Sequence, residues 1–208
     1  MACSANNIIK YVVYIEPGCI FKDDAGNPTS EFTNIQNVYV INGINAFTTV
    51  NQRVPIHDIV SIGNEMTAGE LNSLEVPVGD RKAKTTDGIR NLPDLDMVLK
   101  IDRSINPASP TKTTIHFFAD WWKNRNLWDF NFYIMITNKA YQHLYGYKYT
   151  GVTLAKFGTE SISIEDVKRG QIQLRFYPDN AQLVDCNGDV IDSSSGSSLP
   201  TAFGVCAV

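Results

Sequence analysis

Three histidines, four cysteines and an acidic cluster near the carboxyl end are the side chains of this 208-residue sequence best suited to metal binding or catalysis. His57, His116 and His143 stand at no metal-ligand spacing to one another or to a cysteine. His116 lies in or just before a helical pattern and lacks a carboxylate at helical spacing. His143 sits on the aromatic side of an alternating segment, where a packed histidine is the ordinary role. The chain contains no HExxH, GxSxG, P-loop or dinucleotide fingerprint. A triad can be assembled from distant residues, yet nothing here nominates a nucleophile.

Asp185, Asn187, Asp189 and Asp192 have the look of a calcium loop. Such a loop needs a glycine where Val190 stands and a closing glutamate, and both are missing. A hairpin turn at Asn187-Gly188 explains the same residues with less. Catalytic, cofactor-binding and metal-ligating residues are therefore all expected to be absent, and the chain is not expected to be an enzyme.

Cys3 and Cys19 lie near the amino end, Cys186 and Cys206 near the carboxyl end. The even count invites a disulfide between terminal arms, of one subunit or of neighbours. Synthesis in a cytoplasm favours the other reading, free thiols packed as small apolar groups.

A formal charge of −4, with 19% charged and 43% apolar residues, describes an ordinary folded protein and gives no basic surface for gripping phosphates. No stretch approaches the roughly 18 apolar residues needed to span a bilayer. The first apolar run, Ile8 to Ile15, contains Lys10 and has no basic leader, so it is expected to be a strand rather than a secretory signal.

The elements that would position any site are mostly strands. Ile8–Ile15 ends at Pro17-Gly18, and residues 22–33 form a polar loop. Ile35–Ile41 and Ile44–Val54 read as a hairpin around Asn42-Gly43, closed by Pro55. Thr67 with Glu70 resembles a helix start, giving a short helix over 68–74. Glu75–Arg90 reads as a long polar loop, of the kind that is functional or orders against a partner. Asp94–Asp102 alternates as a strand, with Leu95, Met97, Leu99 and Ile101 on one face. Thr113 or Thr114 can cap a helix reaching about Asn124, with Ile115, Phe118 and Trp122 on one side. Trp121, Trp122 and Trp128 are expected to dock that helix on a sheet.

From Trp128 to Tyr177 the pattern is an antiparallel meander of four alternating runs. Phe130, Phe132, Ile134 and Ile136 share one face, with Asn131, Tyr133, Met135 and Thr137 opposite. Tyr141–Thr150 follows, then Ile162 and Ile164, then Ile172, Leu174 and Phe176 against Gln171, Gln173, Arg175 and Tyr177. Gly151 and Gly158 are read as turn residues between runs. After Pro178 a Ser/Gly-rich stretch leads to an apolar tip of Phe203, Val205 and Val208, the composition of a flexible arm. The fold class expected is mainly β with a small α component, two packed antiparallel sheets and one flanking helix.

The succession Leu92-Pro93-Asp94-Leu95-Asp96-Met97-Val98-Leu99, a Trp-bearing helix at Phe117–Trp122, a strand at Trp128–Thr137, Tyr145-Gly146-Tyr147 leading into Tyr149-Thr150-Gly151-Val152, and a last strand at Gln171–Tyr177 resembles a family. That family is the tail tube proteins of long-tailed bacteriophages and the related tubes of contractile injection systems. The likeness covers roughly Val38 to Asn180. It implies a tube-like β domain at 35–184, with an amino-terminal extension (1–34) and a carboxyl-terminal arm (185–208). It implies a structural virion protein without cofactor, forming six-subunit rings that stack into a tail tube. Tape-measure protein and DNA would pass through the lumen without specific binding, which a negative chain suits. Sheath or other tail proteins would surround it. Inter-subunit contacts would fall on Arg81, Lys82, Lys84, Asp87 and Arg90 of the long loop and on Gln171, Gln173 and Arg175 of the last strand. An adaptor or terminator ring is a variant of this reading. A different class, a carbohydrate-binding β-sandwich of a receptor-binding structure, would use the 11% aromatic residues as an exposed groove.

Overall fold

Thirteen described strands and two short helices make up the fold in a computed structural model of the protein, which describes residues 10–57, 59–63, 70–78, 81–92, 94–100, 112–138, 140, 142–159 and 171–191. In chain order they are β1 (Lys10–Pro17), α1 (Ser30–Thr33), β2 (Tyr39–Ile41), β3 (Ile44–Asn45), β4 (Val54–Ile56), β5 (Ile59–Gly63), β6 (Glu70–Val78) and β7 (Arg81–Asn91). Then follow β8 (Leu95–Lys100), β9 (Lys112–Thr113), α2 (Thr114–Lys123), β10 (Phe130–Thr137), β11 (His143–Thr159), β12 (Gln171–Tyr177) and β13 (Asn180–Val184). The mainly β class with two packed sheets is the observed one.

The main sheet has eight strands in the order β4-β1-β10-β11-β12-β8-β5, with β13 added on β11. Its organising element is β11. The first half of β11 pairs with β10 and β13, and its second half pairs with β12. Thr150 faces Asn180 and Thr153 faces Tyr177, so β12 and β13 act as one strand interrupted at Pro178-Asp179. Opposite that break lies Gly151 with φ +62, and the Asp179 N–H donates to the Thr150 carbonyl at 3.0 Å. Only glycine adopts this φ without strain, and a Cβ there would collide with the Asp179 side chain. Both strands of the ribbon therefore bend at one level. The bend divides the sheet into a first layer (β4, β1, β10, β11, β13) and a second layer (β11, β12, β8, β5).

The two layers close over one core. Phe132 of the first layer meets Phe176 of the second with ring centroids 4.7 Å apart. Trp121 of α2 wedges between them, 4.6 Å from Phe130 and 5.4 Å from Phe176, and its indole N–H donates to the Trp128 carbonyl at 3.1 Å. At the opposite margins, β4 and β5 are separated by only two residues, 57 and 58. That link holds the outer strands within about 10 Å and makes the sheet curl.

Several expectations stand. Asn42 and Gly43, with φ +51 and +79, make the turn between β2 and β3, as two-residue hairpins require. Leu95, Met97 and Leu99 are buried along β8, and Thr113 caps α2. The hairpin turn at Asn187-Gly188 is present, with a bridge from Val184 to Val190.

Others need correction. The described parts of the expected loop Glu75–Arg90 and of the expected helix 68–74 are strand instead: β6 and β7 form an antiparallel ribbon, Glu75 opposite Lys84. The Thr67-to-Glu70 cap signal is local, and strand pairing overrides it. Residues 22–33 include the turn of α1 rather than loop alone. The return strand expected to reach Val54 stops at Asn45, because the backbone turns at Phe47 (φ +57) to bury that ring against Phe117 and Phe130. Pro55 lies inside β4, tolerated because among the described strands β4 pairs with β1 alone. The helix buries Phe117, Phe118 and Trp121, about a quarter turn from the expected stripe, leaving Ile115 and Trp122 on its flank. Gly151 and Gly158 lie within β11 rather than in turns between strands. Tyr133, Met135 and Thr137 are buried as well as the opposite face of β10. Ile101, Asp102, Ile162 and Ile164 lie outside the described residues. Within the stretch expected as an amino-terminal extension, β1 is the strand between β4 and β10.

Candidate assembly surfaces

The outer face of the second layer is built by the alternation that fills the core. Each apolar residue turned inward on β12 leaves a polar one outward: Gln171, Gln173 and Arg175 are half-buried and Tyr177 is exposed. Across the strand pair, Arg175 stands in register with Asp96 of β8. Its Nε and Nη2 donate to the two Asp96 carboxylate oxygens at 2.7 and 3.1 Å. These contacts hold the guanidinium further above its ordinary range. On the other side of β12, the Lys156 ammonium donates to Gln173 Oε1 at 3.3 Å. The face is thus polar, with Arg175 paired to Asp96 and Lys156 bonded to the Gln173 amide.

The edges of this layer are open. No other described strand pairs with the outer side of β5 or with residues 153–159 of β11 on the side away from β12. These margins are five and seven residues long, a comparable match. Val60 of β5 is exposed and sits at a register shift where it has no partner on β8. Unpaired edges are strand-addition sites unless something covers them.

The remaining expected contact residues, Arg81, Lys82, Lys84, Asp87 and Arg90, all lie on β7. They are spread along the length of that strand rather than gathered at one point, and the ribbon pairs with no other described strand, β12 included. The nine residues of β6 extend about 30 Å.

Side chains that could have done chemistry are engaged in structure. His116 Nδ1 accepts the Thr113 N–H at 3.2 Å, acting where a capping box usually has Glu or Gln. His143 Nε2 is 3.0 Å from Tyr14 Oη, and burial pushes its pKa below the ordinary value. His57 lines a cleft of about 160 Å³ with Lys100, Thr113, Thr114 and Leu99, and no nucleophile–base pair forms there. Asp185 Oδ1 accepts the Asn187 and Asp189 N–H groups at 2.8 and 3.0 Å, which is turn chemistry. Among the described residues no three His, Cys, Asp or Glu side chains group as a metal site. Of the expected free, packed thiols, Cys19 is free but exposed rather than packed, and Cys186 is disulfide-bonded to a partner outside the described residues. The compartment argument behind that expectation carried no information on which residues the fold brings together.

Two networks escaped sequence reasoning. Tyr39 Oη and Lys112 Nζ both donate to Asp120 Oδ2, at 3.1 and 2.7 Å, tying β2 and β9 to α2. Burial alone would raise the Asp120 pKa, but those two hydrogen bonds together with the charges of Lys112 and Lys123 outweigh it and leave it lowered. Glu16, nearly buried, binds Lys22 at 2.7 Å and Arg53 at 3.6 Å. Arg53 donates to the Asn187 carbonyl at 2.7 Å and lies 4.1 Å from the Tyr133 ring centre. Burial, then the Glu16 charge, push the Tyr133 pKa up to about 12. Nothing in the spacing of these residues announces either cluster. The pair Asp96–Arg175 could have been found, as opposite charges on the polar faces of two alternating strands.

No family model and no curated protein matches the sequence. Solved structures do. A chain of the six-fold symmetrised anti-feeding prophage baseplate is 11% identical with TM-score 0.54, over 88% of this chain and 97% of that one. A chain of the PVC extracellular contractile injection system, from its extended sheath–tube complex, is 11% identical with TM-score 0.50, over 82% of this chain and 86% of that one. This chain therefore shares its fold with chains of these contractile-injection particles.

Proposed function

We propose that this chain is a structural subunit of a ring-stacked tail tube, with the second layer lining the lumen. The observation that carries the proposal is the pairing of a polar, charge-mated outer face with two open edges in the same layer. Joining β5 of one subunit to the outer edge of β11 in the next continues the sheet around a ring and satisfies the backbone groups of both margins. Six copies per ring is the number in this reading, supported by the symmetry of the baseplate whose chain shares the fold. Gln171, Gln173 and Arg175 then face the lumen, where DNA and a tape-measure protein pass without specific binding. The β6–β7 ribbon, with Arg81, Lys82, Lys84, Asp87 and Arg90, reaches the adjacent ring. Sheath or other tail proteins cover the outside, and the protein resides in a phage tail or phage-like particle. Its role is architectural, not catalytic. Burial of Trp121 and Trp128 removes two of the three tryptophans that a sugar-binding groove would display.

The test is a proline at Val60. Val60 is exposed on this edge strand and has no registered partner on β8, a position where proline is tolerated, so the subunit is expected to keep its far-UV circular dichroism. Assembly measured by sedimentation is expected to need at least tenfold more protein. Unchanged assembly overturns the edge-joining model.

A further inference from the structure

The inner face of the first layer runs beyond its cover. Its cross-strand rows show where. Ile15, Phe132, Tyr149 and Ala181 form a fully enclosed row. In the next, Val13 and Ile134 are buried but Tyr147 and Leu183 only half so. In the last, Tyr11 is 49% exposed beside Ile136, with Tyr145 half-buried on its other side. The result is an aromatic ledge of Tyr11, Tyr145, Tyr147 and Leu183, at the end of the layer away from α2.

We propose that this ledge is the docking surface for the segment Leu199–Val208 of the same chain. The segment has no charged side chain and carries Leu199, Phe203, Val205 and Val208, which suits an uncharged aromatic shelf. Its point of departure is adjacent: the Ile191 N–H donates to the Leu183 carbonyl at 3.0 Å, so the chain leaves from the border of the ledge. The seven residues Asp192–Ser198, all Asp, Ser and Gly, form a flexible tether. Its root-mean-square reach is about 15 Å. From β13 across β11 and β10 to β1 is three strand spacings, about 14 Å. Tether and shelf therefore match within one chain. The disulfide at Cys186, two residues beyond β13, points the same way. With Cys19 free, the other cysteines of the chain, Cys3 and Cys206, stand one in each terminal segment. The bond thus ties a terminal segment to this end of the layer. The amino-terminal one, Met1–Ile9, has its apolar pair Ile8-Ile9 immediately before β1 and otherwise offers only Met1 and alanines.

This proposal does not depend on ring formation, and its test is arranged accordingly. Phe203 is replaced by the photocrosslinker benzoylphenylalanine in the full chain, and heavy-isotope and light copies are mixed before irradiation. Crosslinks to peptides containing Tyr11 or residues 143–149, with no mixed-isotope product, are the expected result. Mixed-isotope crosslinks mean that a second copy supplies the occupant, and overturn the proposal. So do crosslinks elsewhere, or none. In parallel, hydrogen exchange over 10–15 and 143–149 is expected to speed up at least tenfold in the double variant Phe203→Ser/Val205→Ser. Equal exchange rates would count as refutation.

Discussion

Replacing Gly151 by alanine strikes the bend that divides the sheet into two layers. Two costs add. Holding a non-glycine residue at φ +62 costs about 1–2 kcal/mol. The new Cβ also meets the Asp179 side chain, and forcing atoms into a filled site costs about 1–3 kcal/mol. A total of about 3 kcal/mol corresponds to a fall in Tm of roughly 10 °C for a domain of this size. The two parts separate in a double-mutant cycle with Asp179→Gly, which removes the collision and leaves the backbone strain. Urea unfolding of all four proteins gives the coupling. The Gly151→Ala penalty is expected to drop to about 1–2 kcal/mol in the Asp179→Gly background. If Gly151→Ala costs less than about 0.5 kcal/mol, or the penalty is the same in both backgrounds, the account of the bend is wrong.

Trp121→Ala should destabilise by about 3–5 kcal/mol, because it empties the wedge between the layers. Trp121→Phe keeps most of the ring but strands the Trp128 carbonyl, a loss of about 1–3 kcal/mol by the same denaturation assay. The Arg175–Asp96 pair is largely exposed, so a double-mutant cycle should return only a small coupling, weakening with salt. His143 is neutral by burial, its pKa below the ordinary 6.5. The unfolded chain therefore binds more protons just below that value, and stability should be full above it and decline as pH falls. Unfolding free energies measured across this window should show a shallower slope in His143→Gln.

What the sequence disclosed was set by periodicity. Strands β8 and β12 bury alternate residues, and a period of two is visible without a structure. The Asn42-Gly43 turn was equally legible, since positive φ at both positions leaves few other residue choices. The β6–β7 ribbon was not, because its stability comes from pairing and its individual residues have polar, loop-like composition. Phe47 shows the limit in another form: burial of one ring overrode the strand that its neighbours favoured. Of the candidate surfaces, the polar face of β12 could be read from alternation. The open edges could not, because an edge is defined by which strands are absent beside it. The acidic cluster at 185–189 was correctly assigned to a turn. Asp120 and Glu16 gather partners from segments far apart in the chain, a juxtaposition that only the fold creates.

Negative-stain electron microscopy of the purified, concentrated full chain tests the central claim most directly. Closed rings about a central hole, some stacked into tubes, are the predicted images. A field of dispersed single subunits at every concentration would contradict it, because the margins of the second layer would then have no need of a neighbour.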